Sequence, residues 1–535
     1  MSESADARQE LSRDGLGLFA ILLVAGAIRA IAWSHTSVIF NDGPVFLGMA
    51  EAIDAGRWAE VLAHPFHPLY PALIVLVAQA PIGFETAAIV VSIVGGLLSV
   101  VGIYLFVRQA FGRDLAWLAA WIVALHPWAV DFSSDVMSDG LYAGFYLLGF
   151  AAMASLVEKP RLGAALGCGV FAGLAYLVRP EGVGLLVACG FLLAIRAWLD
   201  ARARRRILWA TAGLLLAAGL VMAPLVGSIT RQDGELSLTR KKSLAGLAAG
   251  KAYVGVEADR TGRSGAAKVG PPIPLPRSSE RTDAGGAIRP PRTVVGFAEA
   301  VSRAGRTSLA AFRYEVALVA LIGFWAIRSR RRWVREATVA LPAVLYSGVL
   351  VLLVWGAGYV ARRHALAALL PICAYAALGW RALCVGVIDR LSVGNPQRGA
   401  RLKSSRSVCF LLVVVLCVVW GARDLRFRRV EREPLRLAAE WLHENAPSAA
   451  RVAAQKLRVA YYAGAEFVPL PSGNDGRIEA YLRDQGVGWV VIDPDRLDEH
   501  LGLAAGVGEW LVPIHTVERA GRRALVLELR PKPAI

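Results

Sequence analysis

The feature that most constrains this chain is a series of long apolar runs between residues 15 and 422. A helix needs roughly 20 mostly apolar residues to cross about 30 Å of hydrocarbon, because its backbone polar groups must be satisfied within the helix. Hydrophobic residues make up 56% of the chain, which is more than soluble globular proteins contain. The runs therefore predict a polytopic α-helical membrane protein.

We assign eleven membrane spans to these runs. The predicted spans are residues 15–33, 84–107, 114–130, 138–156, 162–178, 182–199, 207–228, 311–327, 337–355, 364–385 and 408–422. Residues 1–14 form a polar tail before them. Because the first run has no clear small-residue cleavage site, we interpret it as a retained span rather than a signal peptide. The predicted transmembrane domain is 15–422.

Basic residues mark alternate connections between the spans. They include Arg108, Arg113, Lys159, Arg161, Arg196, Arg202, Arg204, Arg205 and Arg206, and the basic residues of 328–335 and 390–406. Since cytoplasmic loops carry the excess of Lys and Arg, this pattern predicts a cytoplasmic N-terminus and, with an odd number of spans, an extracytoplasmic C-terminus. The net charge of +17 is thus a signal of topology and does not indicate a nucleic-acid partner.

The other connections, at 34–83, 131–137, 179–181, 229–310 and 356–363, are then extracytoplasmic. Segment 229–310 is rich in Gly, Pro and Arg without a lasting period, so we expect a partly ordered lid or acceptor-facing loop with little regular structure. Residues 423–535 have the composition of a soluble domain. A helix at 433–444, strands at 468–470, 487–492 and 524–529 and a helix at 477–485 predict a small extracytoplasmic α/β domain.

Asp42, in Asn41-Asp42-Gly43 just after the first span, is the main catalytic candidate. A carboxylate at the mouth of a membrane cavity is partly desolvated, which raises its pKa and suits it to accept a proton from a hydroxyl group. The alternative is that Asp42 caps the helix that starts near Val45.

His64 and His67 lie in a proline- and aromatic-rich segment before the apolar run 72–80, which predicts an interfacial helix entered through a proline-fixed turn. With Asp42 they form a candidate divalent-metal site, because imidazole and carboxylate groups both serve as ligands. Interfacial packing is the alternative role of the two histidines.

Asp135 and Asp139 belong to a second polar cluster on the predicted outer side. Acidic groups at membrane depth are costly and usually face a protein interior or an aqueous cavity. We therefore expect both to line a cavity. The alternative is a solvated connection in which Ser and Asp side chains, Asp131 among them, cap helices.

Arg179 and Glu181 lie where two predicted spans meet, and Arg362 and Arg363 precede another span. An arginine at such a place can bind a lipid phosphate in a bidentate manner and stabilise it as a leaving group. The alternative for any one interfacial arginine, Arg29 included, is that it snorkels towards lipid headgroups.

Several function classes lack their usual signatures. The chain has no Walker A lysine loop, no HExxH and no GxSxG, the signatures of ATP-driven pumps, zinc proteases and α/β-hydrolases. Its six cysteines form no CxxC pair, which indicates neither a disulfide framework nor a thiolate metal site.

The order of these parts resembles the GT-C superfamily of membrane glycosyltransferases, in particular bacterial relatives of the protein O-mannosyltransferases and of the lipid A aminoarabinose transferase. The likeness covers most of 15–385. The segments that carry it are Arg29, Asp42, Met49-Ala50-Glu51-Ala52-Ile53, His67-Pro68-Leu69-Tyr70-Pro71, Gly173-Leu174-Ala175-Tyr176-Leu177-Val178-Arg179-Pro180-Glu181-Gly182, Arg362-Arg363-His364 and Leu370-Pro371.

The resemblance implies that the protein transfers one sugar, with inversion, from a polyprenyl-phosphate donor to a glycolipid, polysaccharide or protein acceptor. The reaction would take place on the extracytoplasmic side of the plasma membrane. By resemblance Asp42 is the catalytic base. Arg179, Arg362 and Arg363 are candidates for the donor phosphate, and Asp135 or Asp139 is the second acid. Many relatives carry Asp-Glu where this chain has Asp42-Gly43, so a divalent metal is only a possible cofactor.

Two other classes share the predicted spans and polar outer residues. A transporter or flippase of lipid-linked sugars often has inverted repeats and polar residues near the membrane midplane, whereas here the polar residues collect on one side and no matching halves are visible. A non-catalytic envelope assembly protein would use its outer domain as a binding module. Release of free polyprenyl phosphate from a labelled donor distinguishes the enzyme from both.

Overall fold

The structure, a computed structural model, describes residues 2–240, 295–326, 333–391, 404–447, 450–470 and 478–531. They fall into two compact units. The first contains the described residues up to Trp33 and those from Arg57 to Arg426. The second contains Ser34–Gly56 and the described residues from Phe427 onward.

The described residues are mostly helical. In chain order the helices are α1 (Ser2–Ser34), α2 (Gly43–Asp54), α3 (Trp58–Ala63), α4 (Leu69–Ala78), α5 (Phe84–Phe111), α6 (Arg113–Leu125), α7 (Pro127–Ser133), α8 (Asp139–Glu158), α9 (Leu162–Val178), α10 (Val183–Leu199), α11 (Arg204–Asp233), α12 (Phe297–Phe312), α13 (Tyr314–Ala326), α14 (Trp333–Ala357), α15 (Arg362–Leu369), α16 (Cys373–Leu391), α17 (Ser405–Asp424), α18 (Glu433–Asn445), α19 (Leu457–Tyr462), α20 (Ile478–Asp484) and α21 (Leu501–Gly506).

The membrane character of the first unit agrees with the sequence prediction, whereas the number of spans is not confirmed. Among the described residues, eight helices are long and apolar enough to cross a membrane, or up to ten if two bent pairs each count as one span. The remaining predicted span, 162–178, is α9, which has only 17 residues. Helices thus occupy all eleven predicted segments, but their lengths do not establish eleven crossings.

The two bent pairs have local causes. α6 and α7 meet at 57°, where Pro127 opens α7 and cannot continue the hydrogen-bond ladder of the preceding helix. α12 and α13 meet at 90° at Arg313, whose φ of 68° lies in the left-handed region and ends a right-handed helix. Hydropathy alone does not reveal such breaks.

The predicted loop 229–310 is helical at both described ends. α11 continues to Asp233, and α12 begins at Phe297. α12 mixes buried alanines with Arg303 and Arg306, so its mean hydropathy is too low to predict a span. Residues 241–294 of the loop, and the predicted basic residues in 327–332 and 392–403, lie outside the described residues.

Close backbone packing of α13 against α16 depends on two glycines. A methyl group on Gly379 would overlap the carbonyl oxygen of Val319, and one on Gly323 would overlap that of Tyr375. Small residues allow such approach between membrane helices, where van der Waals packing rather than water exclusion drives association.

We expect Gly379→Ala to destabilise the protein by about 1–3 kcal/mol, because the added methyl group forces the two helices apart. Gly386, on the same helix, has no atom within 4 Å of the position of an added Cβ. Gly386→Ala is therefore the control and should leave the thermal unfolding temperature in detergent unchanged or slightly higher. Equal shifts for the two variants would contradict the packing described.

The second unit contains a five-stranded sheet, β1 (Arg451–Ala454), β2 (Glu466–Pro469), β3 (Trp489–Ile492), β4 (Leu511–Arg519) and β5 (Arg522–Leu529). The strand order is β2-β1-β3-β5-β4, with β1 parallel to β2 and β3. β5 runs antiparallel to β3 and β4. This confirms the predicted α/β character.

Apolar residues are buried on both faces of this sheet. Ala453, Val490 and Leu527 belong to one core cluster, and Val452, Val491 and Val526 to another. Residues that alternate along a strand point to opposite faces, which explains why 487–492 is apolar without interruption. β1, β4 and α19 were not predicted from the sequence.

Candidate active site

Asp139 and Arg179 form a buried ion pair in the first unit. Asp139 is the first residue of α8, and Arg179 directly follows α9 in an extended conformation. Arg179 Nη1 donates to Asp139 Oδ1, and both residues are 8% exposed. Arg179 Nε lies 3.7 Å from Glu181 Oε2. The structure thus brings together three of the predicted site residues.

A small polar cavity adjoins this pair. Its polar lining comes from Asp139 and Tyr142 of α8, Ser133 of α7, Ser99 of α5 and Arg363 of α15. The other lining residues are Gly96, Ala129, Phe132, Gly140, Ala143, Leu366, Ala367 and Leu370. The cavity therefore combines one carboxylate, one guanidinium group and several hydroxyl groups within mostly apolar walls.

Tyr142 and Ser99 are polar lining residues of this cavity that the sequence did not identify. Tyr142 is 3% exposed, and its hydroxyl group has no hydrogen-bond partner among the described residues. The ring of Tyr142 also lies 5.8 Å from the guanidinium carbon of Arg179. A buried hydroxyl group without a partner is costly, which suits a ligand that completes the hydrogen bond. The only sequence signal for Tyr142 is its position three residues after Asp139.

Arg29 of α1 holds in place Ser133, one of the residues that line the cavity. It is fully buried, and its Nε donates to Ser133 Oγ at 2.7 Å. Its Nη1 donates to the carbonyl oxygens of Ala25 and Ala124, each at 3.0 Å. The snorkelling alternative is therefore wrong for Arg29. An arginine within an apolar run is itself a sequence signal of an inward-facing role.

The predicted pair Arg362 and Arg363 is divided between two environments. Arg363 lines the cavity, whereas the exposed Arg362 lies over the ring of Trp128, 4.5 Å from its centroid. Arg423 lies over the same ring at 4.0 Å and is 3.5 Å from Asp131. Neighbours in a helix differ by about 100° in direction, so only one of the two faces the cavity.

Asp135 lies in the turn between α7 and α8. It is 2% exposed, and its Oδ1 accepts a hydrogen bond from the Val136 amide at 2.8 Å. Asp135 is not among the residues that line the cavity. Asp135 therefore lies in a buried turn and does not cap a helix, so the solvated capping alternative does not describe it. Of the two predicted acids, Asp139 is the one that lines the cavity.

The two histidines pack inside the first unit. His64 Nδ1 accepts a hydrogen bond from the Phe66 amide at 3.0 Å, and His67 Nδ1 contacts the carbonyl oxygen of Tyr176, three residues before Arg179. Both are buried. Within the ranges that the structure describes, no three His, Cys, Asp or Glu side chains are grouped closely enough to hold a metal ion. The packing alternative is favoured for both histidines.

Asp42 belongs to the second unit and precedes α2. Its carbonyl oxygen accepts hydrogen bonds from the amides of Val45 at 3.2 Å and Phe46 at 3.3 Å. Its carboxylate makes no capping hydrogen bond to the first turn of α2. The side-chain hydrogen bond that the capping alternative required is therefore absent from the first turn of α2.

The helical first unit with its polar cavity, together with the α/β second unit, has the elements of the predicted GT-C-like membrane fold. Residues 63–226 match the family model of dolichyl-phosphate-mannose-protein mannosyltransferases. This segment includes Asp139 and Arg179 but neither Asp42 nor Arg363. A comparison with curated proteins found no match.

Two solved structures share the fold over nearly the whole chain. ArnT from Cupriavidus metallidurans, bound to undecaprenyl phosphate, is 12% identical with a TM-score of 0.58, and the match covers 95% of this chain and 97% of that one. AglB from Archaeoglobus fulgidus, an archaeal oligosaccharyltransferase in complex with an inhibitory peptide and a dolichol-phosphate, is 12% identical with a TM-score of 0.54, covering 91% and 71%. These matches confirm the predicted resemblance to GT-C glycosyltransferases.

Proposed function

We propose that this chain is an inverting glycosyltransferase that moves a monosaccharide from a polyprenyl-phosphate donor to a cell-envelope acceptor. The acceptor is a glycolipid, a polysaccharide or a protein, and the reaction takes place on the extracytoplasmic side of the plasma membrane. The observation that carries the proposal is the cavity lined by Arg363, Tyr142 and Asp139 among the helices of the membrane unit.

The chemistry of the cavity fits the headgroup of such a donor. The guanidinium group of Arg363 offers paired N–H donors to phosphate oxygens, and the hydroxyl group of Tyr142 adds a neutral donor. The apolar remainder of the lining suits the first part of a lipid chain. The structures of ArnT and AglB each contain a polyprenyl-type phosphate, which supports the proposal that this protein binds the same class of ligand.

Arg179 has a different part in the proposal. Its guanidinium group is already engaged by Asp139 and lies near Glu181, so most of its charge is compensated. We assign Arg179 to holding Asp139 in place at the cavity wall, and Arg363 to binding the donor phosphate. Arg362 stacks on Trp128, and we assign it no part in binding the donor phosphate.

The proposed reaction needs no nucleotide, since the lipid phosphate is itself a good leaving group. Asp42 accepts the proton of the acceptor hydroxyl as the oxygen attacks the anomeric carbon. The bond between that carbon and the phosphate oxygen breaks, the configuration inverts, and polyprenyl phosphate leaves with the electron pair. General-base assistance of this kind contributes about 10²–10⁴-fold to a rate.

Arg363→Gln should weaken the binding of polyprenyl phosphate to the purified protein about 10- to 100-fold, because a charge-assisted contact with the phosphate is lost. Arg362→Gln is the matched control, being the adjacent residue on the same helix but outside the cavity, and should bind with wild-type affinity. Intrinsic fluorescence titration in detergent measures both. Equal losses of affinity in the two variants, or no loss in Arg363→Gln, would show that the phosphate does not bind in this cavity.

A further inference from the structure

The segment that leads to Asp42 is bound by the C-terminal part of the second unit. Between α1 and α2 the chain is extended, and Thr36 forms a parallel bridge with Arg428. The Arg428 amide donates to the carbonyl oxygen of His35 at 2.8 Å, and the Ser37 amide donates to that of Arg428 at 3.1 Å. Residues about 390 positions apart in the chain are thus joined by two backbone hydrogen bonds.

Side chains of the same region bind the next three residues in succession. Arg436 Nη1 donates to the carbonyl oxygen of Ser37 at 2.8 Å, Arg429 Nη1 to that of Val38, and Arg458 Nη1 to that of Ile39 at 3.4 Å. The hydroxyl group of Tyr462 accepts from the Ile39 amide at 3.1 Å. We call Arg429, Arg436, Arg458 and Tyr462 the clamp.

The clamp is a costly arrangement. Arg458 is 4% exposed, and an arginine taken out of water must recover its hydration energy from such contacts. Arg429 adopts a left-handed backbone conformation with a φ of 57°, which costs of order 1 kcal/mol or more in a non-glycine residue. Its guanidinium carbon lies 5.6 Å from the ring of Phe40, and that of Arg436 lies 4.9 Å from the ring of Tyr462.

We propose that the clamp sets the position of Asp42, which follows Ile39 by three residues, and that the C-terminal domain is therefore a positioning element of the catalytic centre. This inference rests on the proposed function, in which Asp42 is the base. The clamp residues act through the backbone and not on the substrate. A displacement of about 1 Å of a catalytic group can cost about 10²-fold in rate, so loosening the segment should lower turnover without weakening donor binding.

Two variants test this in the full-length protein. Tyr462→Phe removes a single oxygen atom, and Arg436→Ala removes the contact with Ser37. In both, the amides of residues 37–42 should exchange with deuterium faster than in the wild type. The turnover number should fall about 10-fold or more, with the KM for the donor unchanged. Arg436→Lys, which keeps a donor at this place, should restore part of the turnover.

Arg451→Ala is the control, because Arg451 is a half-exposed arginine of the same domain that pairs with Glu466 at 2.8 Å and lies outside the clamp. It should leave exchange at 37–42 and turnover unchanged. Wild-type turnover in both clamp variants, while Asp42→Asn is inactive, would overturn the positioning role and leave the proposed function intact. Full activity of Asp42→Asn would instead overturn the base assignment itself.

Discussion

Asp42→Asn is expected to lower the turnover number of sugar transfer about 10³-fold, the middle of the range for loss of a general base. Asparagine has nearly the same shape as aspartate but cannot accept the proton of the acceptor hydroxyl. The carboxylate makes no capping hydrogen bond to α2, so the substitution should not change the stability of the helix. The measurement is the initial rate of transfer from a labelled donor in proteoliposomes.

Asp54→Asn provides the matched control for this prediction. Asp54 is the exposed last residue of the same helix, α2, and its substitution changes the charge of the segment by the same amount. It should transfer sugar at the wild-type rate. A rate for Asp42→Asn within a few-fold of that control, with normal folding, would remove Asp42 from the mechanism.

Arg179→Gln is expected to destabilise the protein by about 3–5 kcal/mol, because it leaves Asp139 as an unpaired buried charge. The ion pair is 9% exposed on each side chain. Arg240→Gln is the control, since the Arg240–Asp233 pair at 2.7 Å is more exposed and should contribute at most about 1 kcal/mol. Denaturant unfolding in detergent micelles gives the free-energy differences.

A double substitution separates the pair from its surroundings. Asp139→Asn together with Arg179→Gln should be less destabilised than the sum of the two single variants, because no unpaired charge remains. Additive effects would show that the two side chains do not depend on each other. The turnover number of sugar transfer should also fall in the double variant, because the cavity then lacks its carboxylate.

The position of the membrane helices could be predicted because the bilayer imposes a composition on every segment that crosses it. The predicted span 84–107, for example, corresponds to α5, which starts at the same residue and ends at Phe111. The bends at Pro127 and Arg313 were not predicted, because they arise from a proline and from a positive φ angle and not from a change in hydropathy. β4 is largely exposed on one face, so it lacks the apolar continuity that identified β3.

The candidate site was predictable in residue type but not in detail. An acid and an arginine at membrane depth identified Asp139 and Arg179, yet their pairing required the structure. The sequence did not indicate which of the two adjacent arginines, Arg362 or Arg363, lines the cavity. The clamp was invisible in the sequence, because Arg458 reaches Ile39 across more than 400 residues and binds a backbone carbonyl, which has no sequence signature.

The most direct test of the central claim is to supply the purified, reconstituted protein with a polyprenyl-phosphate sugar labelled in the sugar, together with an envelope extract as acceptor. We predict that free polyprenyl phosphate is released while the label moves to the acceptor with inverted anomeric configuration, and that Asp42→Asn slows both about 10³-fold. Intact labelled donor that crosses the bilayer without cleavage would contradict the account and indicate a transporter. A donor that is neither cleaved nor moved would contradict it in favour of a binding role.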